Sequence, residues 1–163
     1  MYKRQILGNS IPYNEACTSN AKKLNLIAGE DKFLNNPYSS LAKAIKLIDT
    51  YGDNIILRHQ ADWISGWFLN DWSFGEEGNN VKLGWNIANK SWPESFESFS
   101  LTKSIPVIKK SGSILGKINQ SIANLLGINR NLLLICGTTD SNAAFLAAQV
   151  KENEGLTVLG TTI

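Results

Sequence analysis

An apolar strand that runs through a short turn into an apolar helix is the feature that most restricts the fold. Residues 132–136 form an unbroken apolar run, residues 137–141 form the turn, and residues 142–149 form an alanine-rich helix. An apolar run without alternation is typical of a strand buried in a parallel sheet. A strand joined to a helix in this way is the building unit of α/β folds. We therefore predict an α/β fold with 132–136 as a buried strand.

Apolar residues elsewhere recur at helical spacing or fall into short extended runs. Ser39-Ser40 is a plausible N-cap and Gly52 a favourable stop for a helix through about Tyr51, with Leu41, Ala44, Ile45 and Ile48 on one face. Further helices are predicted at residues 20–26, 59–69 and 120–126, and a helix start is predicted at 92–94. Residues 70–92 are expected to be irregular, 101–110 to be a loop or extended passage, and 118–119 to be extended. For residues 54–58 the pattern does not decide between a strand and a helix entry.

Size and charge restrict the class of protein. The chain has 163 residues, of which 43% are hydrophobic and 18% charged, with a net charge of +2; these values are typical of one soluble globular domain. Lysine and arginine are scattered, so no nucleic-acid partner is expected, and the apolar runs are too short to indicate a membrane partner. Cys17 and Cys136 are far apart in sequence and are expected to be reduced thiols of a cytoplasmic protein.

Both ends of the sequence favour an internal fragment of a longer protein. Residues 1–5 resemble the translated end of a transposon sequencing adapter, and we interpret them as an adapter-derived scar; a natural polar N-terminus is the alternative. Residues 156–159 have the pattern of a strand, residues 160–162 that of a turn, and the sequence stops one residue later. Since strands are normally paired, a fragment is the expectation.

Two turns carry residues suited to phosphoryl transfer. Asp140 follows a predicted strand and opens a helix, and the edge of an open α/β sheet where strands end is where ligands bind. The free N–H groups of a helix N-terminus stabilise a carboxylate there, although Asp140 or Ser141 could equally be an ordinary N-cap. The second turn, Gly160, Thr161 and Thr162, offers backbone and hydroxyl donors to a phosphate. Together, the two turns could place a carboxylate beside a phosphate-binding loop.

A series of motifs in the second half of the chain keeps a fixed order and spacing. They are SGSILG at 111–116, LGI at 126–128, ICGTTD at 135–140, AAFLAA at 143–148 and LGTT at 159–162. This series resembles the FGGY family of carbohydrate kinases. Upstream, the similarity is weaker: Tyr13-Asn14-Glu15 resembles an aromatic-N-D segment of the family, although Cys17 replaces the arginine that commonly follows. HQADW at 59–63 with NNVKLG at 79–84 is most similar to the branch acting on ribulose or xylulose.

The resemblance implies a partial actin/hexokinase-type (ribonuclease H-like) ATPase fold. Residues 6–150 would form part of the N-terminal sugar-binding domain, and residues 151–163 would supply the first strand of the C-terminal nucleotide-binding domain, here truncated. ATP and a ketopentose, ribulose or xylulose, would be the small-molecule partners, and the resemblance allows a homodimer of the full-length protein. Which sugar is used and the oligomeric state are not readable from the residues.

The resemblance also implies residue roles. Asp140 would be the catalytic base, and Asp140, Ser141, Asp62 and Asn14 would bind the sugar. Gly160, Thr161 and Thr162 would bind the phosphate groups of ATP. Mg²⁺ would accompany ATP near Asp140, with no metal ligand assigned. The family's first phosphate hairpin, an Asp-x-Gly-Thr segment, is not found in the sequence, so this chain alone is expected to show no sugar-dependent ATP turnover.

Other interpretations of the same residues stay open. A non-catalytic sugar-binding or regulatory protein of the same fold is the alternative function, and another actin-fold ATPase, such as an acetate-kinase-like or chaperone-type protein, is a third. His59 is the only histidine and is expected to be structural. Glu76 and Glu77 are expected to lie on the solvated surface. The tryptophans after residue 66 are expected to anchor core and loops.

Overall fold

Helices and short strands alternate along the chain in the computed structural model, which describes residues 5–157. In chain order the elements are α1 (Ala21–Ala28), α2 (Ser40–Tyr51), α3 (Gln60–Leu69), β1 (Phe74–Glu76), α4 (Glu77–Val81), α5 (Ser95–Ser98), β2 (Val107–Lys109), β3 (Ile114–Lys117), α6 (Gln120–Leu126), β4 (Leu133–Ile135) and α7 (Asp140–Ala147). The mixed α/β class predicted from the sequence is confirmed.

Side-chain caps begin two of the predicted helices, α2 and α6. The Ser39 side chain accepts a hydrogen bond from the backbone N–H of Ala42 at 3.1 Å, which satisfies one of the free donors of the first turn of α2. Gly52 ends α2 with a positive φ of 84°. Asn119 caps α6 in the same way as Ser39 caps α2, and Gly127 ends it in the left-handed conformation. Helices α1 and α3 agree with their predictions within two residues.

One face of α2 forms the centre of the hydrophobic core. Leu41 and Ile45 are almost completely buried, and α1 packs against the same helix. Phe96 and Leu101 close the core from the second half of the chain, and both are 1% exposed or less. Trp92 stacks on Phe96 with ring centroids 5.7 Å apart, which confirms that this tryptophan anchors the core.

The strands form two small sheets rather than one. β1 and β2 pair in parallel, with Phe74 opposite Val107. β3 and β4 pair in antiparallel orientation, with Ile114 opposite Ile135. The prediction of 132–136 as a buried parallel strand is therefore wrong in orientation and in burial, because β4 pairs with β3 and its residue Ile135 remains 50% exposed. An apolar run shows that a strand is favourable, but not which neighbour it pairs with.

The stretch between α3 and α5 is more ordered than its polar sequence indicated. It contains β1 and α4, so the expectation of an irregular segment over residues 70–92 is wrong for its first part. Residues 118–119, expected to be extended, come directly after β3. Residues 54–58 belong to neither a helix nor a strand, although Ile55 and Leu57 are buried.

Among residues 5–157, no helix combines the length and the apolar character that a membrane crossing needs. Cys17 and Cys136 are both buried and both free, which confirms that they form no disulfide.

Candidate functional site

A cleft of about 170 Å³ lies between α3 and the end of β4. Helix α3 lines it with Asp62, Ser65 and Gly66, and the segment after β4 lines it with Gly137 and Thr138. Further lining residues come from the loop before β1 and from β1 and α4, namely Asp71, Glu76 and Asn79. We call this cavity the acceptor cleft.

Asp62 ties α3 to the wall formed by β1 and α4. Its side chain is buried, with Oδ1 accepting from the backbone N–H of Glu76 at 2.9 Å and Oδ2 accepting from Nδ2 of Asn80 at 3.0 Å. The Asn80 amide also donates to the carbonyl oxygen of Glu76 at 2.8 Å. Burial raises the pKa of the Asp62 carboxyl group, while these two hydrogen bonds oppose the shift. Asp62 is thus a buried, hydrogen-bonded element of the cleft wall.

Glu76 is buried, so the expectation that it lies on the solvated surface is wrong. Its carboxylate caps α4 by accepting from the backbone N–H groups of Gly78 and Asn79, each at 2.7 Å. It also accepts from the hydroxyl group of Ser111 at 2.7 Å. Because three donors satisfy the carboxylate, the charge is tolerated in a buried position. Glu76 connects α4 to the loop that follows β2.

The loop after β2 holds the segment that leads to Asp140. The backbone N–H of Gly112 donates to the carbonyl oxygen of Cys136 at 2.8 Å, and the N–H of Cys136 donates to Ser113 at 2.8 Å. Burial raises the pKa of the Cys136 thiol to about 11, and the nearby carboxylate of Glu76 adds to this shift. The thiol is therefore protonated at neutral pH and is unsuited to act as a nucleophile. Its place in the structure is to pack the end of β4.

Asp140 is the first residue of α7 and follows the cleft-lining Thr138 by two positions. The N-cap is Thr139, so neither Asp140 nor Ser141 occupies the capping position. The Asp140 carboxylate is exposed, and its Oδ1 accepts from the backbone N–H of Ser141 at 2.8 Å. An accessible carboxylate thus follows the last lining residue of the acceptor cleft, Thr138, by two positions, although Asp140 is not itself a lining residue.

Asn142 of α7 has a side-chain hydrogen bond within its own segment and lies near Gly78 of α4. The Asn142 amide donates to the Thr138 hydroxyl at 3.3 Å. A Cβ atom added to Gly78 would lie 3.6 Å from the same amide nitrogen. None of the residues of α7 is buried, so the position of Asp140 depends on its connection to β4 and on these polar contacts.

Of the predicted site residues, Asp62 lines the acceptor cleft, and Asp140 and Ser141 follow the lining residue Thr138 in the chain. Asn14 is exposed in a turn in which the N–H of Glu15 donates to the carbonyl of Pro12 at 3.1 Å, and it does not line the acceptor cleft. Gly160, Thr161 and Thr162 lie outside the described residues, as does the end of the strand predicted at 156–159. Among residues 5–157, no three His, Cys, Asp or Glu side chains are grouped so that they could hold a metal ion.

Two acidic cleft residues were not predicted from the sequence. Asp71 precedes β1 and was not singled out, and Glu76 was assigned to the surface. Glu76 is the N-cap of α4, but glutamate is not among the residues favoured at that position, so the sequence carried no clear signal for a helix start there. The contact with Ser111 has no local signal, because it joins residues far apart in the chain.

Comparison with known proteins supports the fold of the chain but does not identify its substrate or activity. No protein-family model matches the chain. The structure is similar to that of a ligand-bound xylulose kinase from Lactobacillus acidophilus, with a TM-score of 0.71 and 13% sequence identity over 90% of this chain. The match covers 32% of the kinase, so the chain spans about a third of its length. The chain accordingly has the mixed α/β fold of part of a sugar kinase.

Proposed function

We propose that the protein is part of an ATP-dependent sugar kinase that transfers the γ-phosphate of ATP to a hydroxyl group of a ketopentose, ribulose or xylulose. The observation that carries the proposal is the position of Asp140, exposed on the first turn of α7 and two residues beyond the wall of the acceptor cleft. The structural similarity to a xylulose kinase supports it at the level of the fold.

The domain assignment belongs to the same proposal. Residues 6–150 form part of an N-terminal sugar-binding domain, and residues 151–163 begin a nucleotide-binding domain of the actin/hexokinase type. The acceptor cleft lies within the first of these ranges, as does Asp140. This agrees with a division in which one domain presents the sugar and the other the nucleotide.

In the proposed mechanism, the acceptor cleft holds the sugar with one hydroxyl group directed towards Asp140. A carboxylate is a much weaker base than a sugar alkoxide, so the proton moves late, when the oxygen has begun to bond to phosphorus. Positioning of the hydroxyl group then contributes more than basicity does. The first turn of α7 holds the Asp140 carboxylate in an exposed position from which it can accept the proton.

ATP is the second substrate in this proposal, and Mg²⁺ accompanies its phosphates to offset their charge. Gly160, Thr161 and Thr162 are proposed to bind the phosphoryl group, and they lie outside the described residues. Because no group of three suitable side chains occurs among residues 5–157, we assign Mg²⁺ no ligand there.

Asp62 and Ser141 remain proposed sugar contacts, Asp62 because its oxygens can accept further hydrogen bonds and Ser141 because it is exposed. Both Asp62 oxygens already accept one hydrogen bond each, although a carboxylate oxygen can accept two. Ser141 is exposed beside Asp140 at the cleft rim. Asn14 remains a prediction from the resemblance alone, since it does not line the cleft.

Ketopentose binding by this chain tests the proposal. At a sugar concentration of about one hundred times the dissociation constant, binding stabilises the folded state by about 3 kcal/mol, which raises the melting temperature by roughly 5–10 °C. The measurement is thermal unfolding with ribulose or xylulose, compared with sucrose at the same concentration. A chain that shows no ketose-dependent shift contradicts the proposal.

A pair of serine variants shows whether the sugar occupies the acceptor cleft. Ser65→Leu places an apolar side chain in the cleft and is expected to abolish the shift, because Ser65 lines it. Ser98→Leu makes the same exchange on the exposed face of α5, away from the cleft, and is expected to retain the shift. An equal shift in both variants would place the sugar elsewhere.

A further inference from the structure

We infer that the acceptor cleft selects an uncharged sugar and repels a phosphorylated one, and that Asp71 sets this selectivity. The inference deepens the proposed function and rests on it, because it concerns the same cleft. It adds a charge criterion for the ligand and names the residue that imposes it.

The wall of the acceptor cleft is negatively charged. Three carboxylates line it, those of Asp62, Asp71 and Glu76, and none of its lining residues is a lysine or an arginine. A phosphate group in a cavity of about 170 Å³ would lie well within a Debye length, about 10 Å, of all three. The repulsion is therefore little reduced by salt within the cavity itself.

Nearby cations offset only part of this charge. The Arg58 guanidinium donates to the carbonyl oxygens of Leu57, Trp72 and Ser104 and interacts electrostatically with Asp62 and Asp71, but it does not line the cleft. The Lys109 ammonium lies 4.8 Å from the ring centroid of Phe74 and is likewise not a lining residue. Two cations stand against three carboxylates, so an excess of negative charge remains at the cleft.

The groups that remain free in the wall suit hydroxyl groups. Neither the Asn79 amide nor the Ser65 hydroxyl forms a side-chain hydrogen bond with the described residues, and both line the cleft. An amide and a hydroxyl both donate and accept, as a sugar hydroxyl does. All three carboxylates, in contrast, already accept hydrogen bonds from the protein. The cleft thus offers neutral partners for hydrogen bonds and a negative potential against anions.

Asp71 is the carboxylate that can be changed without loosening the wall. Asp62 and Glu76 connect elements that are distant in the chain, but Asp71 bonds locally, accepting from the N–H and the hydroxyl of Ser73 at 3.0 and 2.9 Å. An asparagine can keep this turn, because its oxygen accepts from the N–H and its amide donates to the hydroxyl oxygen. Asp71→Asn therefore removes the charge and retains the shape.

This selectivity has a consequence for the order of events in the proposed reaction. The sugar enters the cleft uncharged and acquires a phosphate group at the rim, where Asp140 stands. The carboxylates of the cleft then repel the charged product, although they did not repel the uncharged sugar. Charge in the wall would thus favour release of the phosphorylated product over its retention.

The experiment is a calorimetric titration of the chain with xylulose and with xylulose 5-phosphate at low ionic strength. We expect the unphosphorylated sugar to bind at least tenfold more tightly than the phosphorylated one. We expect Asp71→Asn to reduce the ratio of the two dissociation constants by about three- to thirtyfold, since it removes one like charge near the ligand. The matched control is Asp31→Asn, which neutralises an aspartate that also accepts from nearby backbone N–H groups but does not line the cleft. It is expected to leave the ratio unchanged.

Each other outcome overturns a distinct claim. Equal affinity of the wild-type chain for both sugars overturns the charge selectivity. An unchanged ratio in Asp71→Asn, or an equal change in Asp31→Asn, overturns the assignment to Asp71. If neither xylulose nor xylulose 5-phosphate binds, the proposed function is overturned, and this inference with it.

Discussion

Replacing Asp140 by asparagine is expected to lower ketopentose phosphorylation by about a hundred- to ten-thousand-fold in the longer protein that we propose carries this chain. Asparagine keeps the size of the side chain but cannot accept the proton of the sugar hydroxyl. The side chain is exposed, and its hydrogen bond to the N–H of Ser141 can be kept by the asparagine oxygen, so the fold should not change. The measurement is ketose-dependent ADP release under saturating substrates.

Asp53→Asn is the matched control for this prediction, because Asp53 is also an exposed aspartate but does not line the acceptor cleft. It should retain wild-type turnover. Undiminished turnover in Asp140→Asn would show that another group accepts the proton. A wild-type protein that binds the ketose without any transfer would favour the non-catalytic sugar-binding alternative.

The free energy of unfolding is expected to fall by about 3 kcal/mol between pH 7 and pH 4 through His59 alone. Burial lowers the pKa of His59 to about 4, Lys82 lowers it further and Glu76 opposes the shift. The ordinary value of 6.5 applies in the unfolded chain, so the unfolded state binds more protons between these two values. Stability therefore decreases as the pH falls through this window. The Nε2 atom has no hydrogen-bond partner among the described residues, so a proton there would gain no acceptor.

The measurement is urea unfolding of the wild type and of His59→Gln from pH 7.5 to pH 4. His59 is the only histidine, so the difference between the two curves isolates its contribution. The raised pKa of Asp62 acts with the opposite sign in the acidic range, stabilising the folded state as the pH falls, and it contributes to both proteins. The wild type should lose stability more steeply than the variant. Parallel curves would show that His59 is not held neutral by burial.

The helices were predictable because their signals are local. Helix α2 begins after Ser39 and ends at Gly52, and helix α6 begins after Asn119 and ends at Gly127. The hydrogen bonds and backbone conformations at these ends involve only a few neighbouring residues. Such signals can be read from a short stretch of sequence.

The strands were less predictable because pairing is decided by distant residues. The apolar run at 132–136 indicated a strand correctly, but its antiparallel partner β3 and its half-exposed face depend on packing that the run does not specify. β1 forms within a polar, glycine-containing stretch because it pairs with β2 further along the chain. Tertiary contacts thus override local preference in this part of the fold.

The candidate site was predicted in part. The Asp140 turn was recognisable from the strand, turn and helix around it, and Asp62 was named as a sugar contact. The burial of Glu76 and its bond to Ser111 could not be read from the sequence, since an acidic pair beside glycine and asparagine usually lies in solvent. These contacts hold the cleft wall, and they exist only when distant segments are folded together.

The most direct test of the central claim is a titration of the ¹⁵N-labelled chain with xylulose, followed by the chemical shifts of its backbone amides. If the acceptor cleft presents the sugar to Asp140, the largest changes will occur at Gly137, Thr138, Asp140 and Ser141, with a second group at Asn79 and Ser65. Changes confined to residues away from the cleft, with the amides of residues 137–141 unmoved at saturation, would contradict the account.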